Sequence, residues 1–184
     1  TADMSAGEIV ETGRGLDISV AGDALIAVQA PDGSEAYTRR GDLSLSTAGV
    51  LVNGEGYPVL GDAGPISLPP TGVAVIAPDG TVTVADPAAP DQPPQELGRI
   101  KLAAWQGSAV AKGLDGLFRV AEGGVLPRDE QASVRTGTLE QSNVNTTEVL
   151  VDMIDAQRQF AMRTKLIATA SDVDEGGVQL MRLG

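Results

Sequence analysis

The stretch Ser142-Asn143-Val144-Asn145-Thr146-Thr147-Glu148-Val149-Leu150, running on to Ala170, decides how the rest of the chain is read. It is the only long segment with a helical period. Asn145 or Thr146 is placed to cap its start, because a short side-chain oxygen there accepts from an unpaired first-turn N–H. Glu148 then puts a carboxylate where the helix dipole favours one. No Gly or Pro interrupts residues 144–174. Val149, Met153, Ala156, Phe160, Ile167 and Ala170 recur at spacings of 4, 3, 4, 7 and 3, flanked by Leu150, Ile154 and Ala161. That is one apolar face at helical period. Asp152, Asp155, Arg158, Gln159 and Lys165 occupy the opposite face. A stripe this long and narrow is completed by a second helix, and everything upstream reads as β-structure. The expected partner therefore lies outside this chain.

Such a helix of about 24 residues spans about 36 Å and is marginal alone in water. Its stability has to come from burying the stripe. Five or six side chains at ~1.5–3 kcal/mol each suffice for association before ordering costs are subtracted.

Working back toward the N-terminus, the pattern changes period. Leu16-Asp17-Ile18-Ser19-Val20 alternates as a half-buried strand does. Residues 24–30 are more fully apolar. Ala30-Pro31-Asp32-Gly33 is a turn with a mechanism: Pro fixes φ, Asp bonds its own backbone, and Gly accepts positive φ. Residues 35–39, 42–46 and 50–52 read as further strands. Asn53-Gly54 is a hairpin signal, and Pro58 marks an edge strand, since it has no N–H to donate. The same Ala-Pro-Asp-Gly punctuation returns at 77–80 between strands at 73–77 and 81–84, so two hairpins of one kind are expected. Residues 86–95, with four prolines, read as a loop or linker. Strands follow at 99–103 and 117–120. The expectation is a mainly β fold: an irregular β-sandwich or barrel-like domain of about ten short strands over residues 1–137, then a C-terminal amphipathic α-helix within an assembly segment over 138–184.

Composition narrows the chemistry. Among 184 residues there are no Cys and no His. Thiol nucleophiles, imidazole general bases and ordinary zinc sites are thereby excluded. Thirteen Lys and Arg stand against 25 Asp and Glu, a net charge of −12. That balance repels nucleic acid and anionic membranes. No span of about 18 apolar residues is present for membrane insertion. The first residues, Thr1-Ala2-Asp3-Met4-Ser5, form no signal peptide and do not resemble a native start, so the sequence is expected to begin inside a longer protein.

Candidate sites are few. Asp172-Val173-Asp174-Glu175-Gly176 hints at a calcium loop, but its Gly comes too early and position twelve is Leu183. Asp17, Asp23, Asp32, Glu35 and Asp42 cluster in sequence and could pair as acid and base or hold a cation, yet each stands at a strand edge or turn where Asp and Glu are expected anyway. Ser108 lacks a nucleophile elbow and a His to activate it. Tyr37, Tyr57, Trp105 and Phe118 are scattered, as core or loop anchors are. Phe160 alone lies on the helical stripe. No catalytic set, cofactor or small-molecule substrate is expected.

Several runs together resemble a family. They are Leu16-Asp17-Ile18-Ser19-Val20-Ala21-Gly22-Asp23, Tyr37-Thr38-Arg39 with Gly41, Gly56-Tyr57-Pro58-Val59-Leu60-Gly61, Gly98-Arg99-Ile100-Lys101-Leu102, and Lys112-Gly113-Leu114-Asp115-Gly116-Leu117-Phe118-Arg119. The most specific is Gly137-Thr138-Leu139-Glu140-Gln141-Ser142-Asn143-Val144 with Met153-Ile154 and Gln157-Arg158-Gln159-Phe160. In this order, over nearly the whole chain, they are similar to the bacterial flagellar rod and hook proteins. The short insert and the run ending at Arg119 look most like the proximal-rod branch, with the distal-rod branch as the nearest alternative. Ala161 departs from the acidic residue often found after the aromatic in this family.

The resemblance implies a structural role. Such subunits pass through the flagellar export apparatus without a cleaved signal and stack helically into a periplasmic drive shaft. Their terminal helices line the inner tube, with an N-terminal helical segment paired to the C-terminal one, and the β-domain faces outward. On this reading Val149, Leu150, Met153, Ile154, Ala156, Phe160 and Ile167 form the assembly interface. Ser142, Asn143, Val144, Gln157 and Arg158 carry the family signature. The partners are other rod subunits and further copies of the chain. A hook-type subunit, a secreted β-sandwich binding module and, last, an enzyme remain as competing readings.

Overall fold

In the computed structural model, residues 7–69, 71–89, 91–142, 150–151 and 153–165 are described. The chain divides into two compact units, Thr1–Asn143 and Val144–Gly184. The first is built of short strands: β1 (Ile9–Glu11), β2 (Ile18–Val20), β3 (Leu25–Gln29), β4 (Glu35–Thr38), β5 (Ser44–Leu45), β6 (Leu51–Val52), β7 (Leu60–Gly61), β8 (Gly64–Pro65), β9 (Val73–Ile76), β10 (Thr81–Ala85), β11 (Gln95–Arg99), β12 (Leu102–Ala103), β13 (Val110–Lys112), β14 (Phe118–Val120), β15 (Val134–Thr136) and β16 (Thr138–Glu140). The mainly β expectation is borne out. The strands are shorter and more numerous than about ten, and among the described residues no barrel closes.

The largest sheet runs β12-β3-β4-β14-β13, and a second runs β11-β10-β9. The pairs β1–β16, β2–β15, β5–β6 and β7–β8 complete the body. The central strand β3 explains why residues 24–30 read as continuously apolar. Its side chains alternate between two cores. Ile26 and Val28 join a main cluster with Ile18, Leu43, Leu51, Val59, Ile76, Val82, Ile100 and Leu102. Leu25 and Ala27 face a smaller one with Tyr37, Ala103, Phe118 and Leu126. A strand buried on both faces cannot afford polar alternation.

The two Ala-Pro-Asp-Gly turns are built alike. In the first, Gly33 N donates to Ala30 O at 2.9 Å and Ala30 N to Ser34 O at 2.9 Å. In the second, Gly80 N donates to Ala77 O at 2.9 Å and Ala77 N to Thr81 O at 2.8 Å. Gly33 and Gly80 have φ of 82° and 87°. Asp32 Oδ1 accepts from Ser34 N and Oγ, and Asp79 accepts from Thr81 N and Oγ1. These bonds favour the ionised carboxylates. The Ser34 hydroxyl chiefly draws Asp32 below its ordinary pKa, and the Thr81 amide does the same for Asp79.

At Asn53-Gly54 the hairpin forms differently from a two-residue turn. Gly56 N closes onto Asn53 O at 2.8 Å, and it is Gly56 that takes positive φ, 85°. Gly54 is needed for space: a Cβ there would lie 1.9 Å from Asp42 Oδ2. Strand 99–103 is also divided. Residues up to Arg99 pair with β10, whereas Leu102 and Ala103 pair with β3. One apolar run thus crosses from one sheet to the other.

Thr138–Glu140 is a strand. It pairs antiparallel with β1, Ile9 opposite Glu140 and Glu11 opposite Thr138. The expected start of the assembly segment at 138 therefore falls inside the first unit, because the partner that makes 138–140 extended lies at the other end of the sequence.

Candidate functional site

The route into the second unit begins at β15. Gly137 turns the chain between β15 and β16 with φ of 71°. Its N–H donates to Asp17 O at 2.7 Å, and its carbonyl accepts from Thr12 N at 2.8 Å. Ser19 Oγ and Thr138 Oγ1 are 2.7 Å apart. Glu140, at the end of β16, receives Arg39 Nε at 2.8–2.9 Å on both oxygens and Arg39 Nη2 at 2.7 Å. Gly7 N adds a bond to Glu140 Oε1 at 2.9 Å, and Arg39 Nη1 donates to Gly22 O at 2.9 Å. Gln141 N extends the ladder to Glu8 O at 2.8 Å. Ser142 follows, exposed and outside regular structure.

In the second unit, residues 150–151 and 153–165 are helical (α1). Every described residue of α1 is exposed. Leu150, Met153, Ile154 and Phe160 are 59%, 57%, 48% and 74% accessible, and Val151 and Met162 are similar. Ala156, Gln157 and Arg158 lie on the same helix. Thr164 Oγ1 donates to Phe160 O at 2.9 Å, a back-bond within the helix. Of the residues singled out from sequence, Asn143, Val144, Val149 and Ile167 lie outside the described residues. So do the capping candidates Asn145 and Thr146 and the segment Asp172–Gly176.

The acidic cluster of residues 17–42 separates into different tasks. Glu35 Oε1 accepts from Tyr37 Oη at 2.7 Å and pairs with Lys101 Nζ. Asp42 holds Arg40, with Nε–Oδ1 at 2.7 Å. Burial pushes the Asp42 carboxyl up, but the Arg40 hydrogen bonds and charge outweigh it and leave the pKa below normal. Asp32 serves its turn, and Asp23 accepts from Gln106. Asp17 is buried, with Arg14 at 3.4 Å. No three potential metal ligands converge among the described residues. A cavity of about 220 Å³ lies beside the Arg39–Glu140 pair, lined by Ile9, Ser19, Val20, Asp23 and Arg135 among others. Its hydroxyl, on Ser19, is engaged by Thr138.

Tyr37 and Phe118 are buried, and Tyr57 and Trp105 are partly buried against the two cores. They are the anchors expected of them. The Arg39–Glu140 clamp was not read from sequence. Both residues stand in runs that carry the family likeness, but nothing local to either names the other.

A multi-sheet β body followed by a helix whose large apolar residues are exposed suits a structural subunit. Comparisons with known proteins give its class. Residues 19–84 match the model described as the flagellar hook protein FlgE/F/G D1 domain. Residues 135–180 match the flagellar basal body rod FlgEFG protein C-terminal model. The chain is 40% identical over 177 residues to the flagellar basal-body rod protein FlgF of Escherichia coli, covering 93% of this chain and 70% of that protein. For FlgF of Salmonella typhimurium the identity is 39% over 181 residues, covering 95% and 71%. For FlgG of Bacillus subtilis it is 33% over 180 residues, covering 93% and 67%. The chain belongs to the flagellar basal-body rod protein family, as a structural rod subunit, and within that family it is most like FlgF.

Proposed function

We propose that this subunit builds the proximal part of the rod, polymerising through its C-terminal helical segment into the periplasmic shaft that transmits torque. The first unit faces outward in this arrangement, and the second supplies the assembly contacts. The observation that carries the reading is the exposure of Leu150, Met153, Ile154 and Phe160 on one helix. An apolar stripe left in water costs free energy that packing recovers, at ~1.5–3 kcal/mol per large side chain. The partners are helices of other rod subunits and of further copies. Val149, Ala156 and Ile167 extend the same interface, and Ser142, Asn143, Val144, Gln157 and Arg158 supply the family-specific contacts around it. Delivery is through the flagellar export apparatus, without a cleaved signal. The resemblance to FlgF supports the proximal position, and the match to FlgG makes a distal-rod position the alternative.

The test is the double variant Met153→Glu/Phe160→Glu. Two charges in the seam are expected to abolish rod assembly and motility in the parent cell, while the β unit unfolds at its usual denaturant midpoint. An intact, rotating rod in that variant would overturn the reading.

A further inference from the structure

Glu140 closes the last strand of the β unit, and Gln141, Ser142 and Asn143 are all that separate it in sequence from the second unit. Any force passing along the chain from the second unit into the first therefore enters through β16. On its own, β16 is poorly placed to receive it. Its ladder is with β1, three residue pairs in a two-stranded sheet, and β1 is exposed throughout. Back through Gly137 it leads to β15, which belongs to another two-stranded sheet, with β2. Ser19 Oγ and Thr138 Oγ1, 2.7 Å apart, join β16 to the same sheet. Short peripheral ladders at chain ends are the first parts of a fold to open.

Arg39 bypasses those ladders. It directly follows β4, the middle strand of the sheet β12-β3-β4-β14-β13. That strand is firmly seated: Ala36 and Tyr37 are wholly buried, and four of its residues pair with β3. From there the guanidinium reaches Glu140 through Nε and Nη2, while Nη1 donates to Gly22 O at 2.9 Å and Ala24 O at 3.3 Å. Glu140 Oε1 also accepts from Gly7 N at 2.9 Å, two residues before β1. Both strands of the terminal ladder thus converge on one carboxylate, and the carboxylate on the central strand. A fork-shaped donor on a carboxylate in a site that water scarcely reaches is a strong and weakly screened link.

We propose that Arg39 is the load-bearing link of the β unit: it passes force entering at Glu140 to the central strand of the large sheet, past the peripheral ladders. Load on this link matters in a shaft, so the inference rests on the function proposed above, but its test needs no rod. The chain has no Cys, so thiol handles can be placed in pairs. Ser142→Cys with Leu114→Cys, in the exposed turn between β13 and β14, applies force to the exit from β16. Asp91→Cys with Leu114→Cys pulls the same fold with neither handle at β16. Forced opening reads the barrier along the pulled direction. In single-molecule stretching, Arg39→Met is expected to lower the first opening force about twofold on the first axis and to leave it unchanged on the second. Arg39→Lys keeps the charge but loses the fork, so it should show a smaller loss on the first axis alone; it also serves if Arg39→Met does not fold.

Equal losses on both axes would show that Arg39 only stabilises the unit. No loss on the first axis would show that the ladders carry the force. Either result overturns the proposal. In the parent cell, Arg39→Lys is expected to build rods and swim in dilute medium but to stop at a viscosity that the wild type tolerates; equal tolerance would overturn the link's role in the rod. If the two pulling axes behave as expected while Met153→Glu/Phe160→Glu still assembles a working rod, the link stands and the helix-mediated assembly falls.

Discussion

Arg39 and Glu140, 101 residues apart in sequence, meet in a two-pronged ion pair with Nε–Oε2 at 2.8 Å and Nη2–Oε2 at 2.7 Å. The side chains are 14% and 7% accessible, and further bonds from Gly7 N and to Gly22 O use their remaining polar atoms. The pair ties the last strand of the β unit to the end of β4 and, through the Arg39 Nη1 bond to Gly22 O, to the loop between β2 and β3. It does so immediately before the chain enters the helical unit. A planar guanidinium fits this geometry, whereas a Lys ammonium offers only a point charge.

Removing one member strands the other charge in a mostly dry site. Arg39→Met or Glu140→Leu is expected to cost about 3 kcal/mol, and Arg39→Lys to recover only part of it. Hydrogen exchange at residues 138–141 should accelerate in both single variants. Unchanged protection of β16 would show that the strand pairing alone holds this end.

Gly41 is expected to tolerate no side chain. An ideal Cβ there falls 1.8 Å from Ile18 O, in the stretch where Ile18 N donates to Gly41 O at 2.9 Å. Gly41→Ala should cost about 4 kcal/mol or more, or prevent folding. At Gly33, where nothing lies within 4 Å but φ is 82°, Gly33→Ala should cost only about 1 kcal/mol. Urea midpoints of the two variants, compared side by side, check the contrast.

Tyr37 lies in the smaller core with Leu126, and its hydroxyl is hydrogen-bonded on both sides. Its hydroxyl donates to Glu35 Oε1 at 2.7 Å and accepts from Leu126 N at 2.6 Å. Burial, and then the Glu35 hydrogen bond, push its pKa well above the ordinary tyrosine value. The neutral form is the one the fold holds, so this contribution is complete below about pH 10 and is lost as pH rises through the folded-state value. In a Tyr57→Phe background, tyrosinate absorbance should develop only above the ordinary range or together with unfolding. Tyr37→Phe should destabilise by about 1–3 kcal/mol, through the unpaired Leu126 N–H.

Acid acts with the opposite sign. Asp32, Asp42, Asp79 and Asp115 all have folded-state values below normal, held there by Ser34, Arg40, Thr81 and Arg119 respectively. Their contribution is present above about pH 4 and is lost as pH falls through the lowered values. Denaturant midpoints of the β unit should be flat from neutral pH to about pH 5 and decline below pH 4. Asp79→Asn and Asp115→Asn should flatten that decline. A midpoint that stayed constant to pH 2.5 would contradict it.

Much of what is local was legible in the sequence, although the turn at Asn53-Gly54 closes through Gly56 instead. The helix over residues 150–151 and 153–165 follows from unbroken helix-forming residues and an apolar period near 3.6. The two Ala-Pro-Asp-Gly hairpins follow from bonds that span at most four residues. The two-faced burial of β3 was visible in its continuous apolar run. The absence of His and Cys, and a charge of −12, removed whole classes of chemistry before any coordinates.

Other features belong to the tertiary structure alone. Residues 138–140 look no different from the start of a helical segment until Ile9–Glu11 arrives to pair with them. Gly54 reads as a turn glycine and Gly41 carries no local signal, but the carboxylate of Asp42 and the backbone of Ile18 are what exclude a side chain at each. The five acidic residues of 17–42 cluster in sequence but separate into ion pairs, a turn cap and, for Asp23, a hydrogen bond from Gln106, because neighbours in sequence point to different strands. Periodicity and turn chemistry are set by bonds a few residues long, so a single sequence displays them. Which distant strand supplies a hydrogen-bond partner, and which counter-charge lies opposite, depends on how the strands pack together, and only the folded chain decides that.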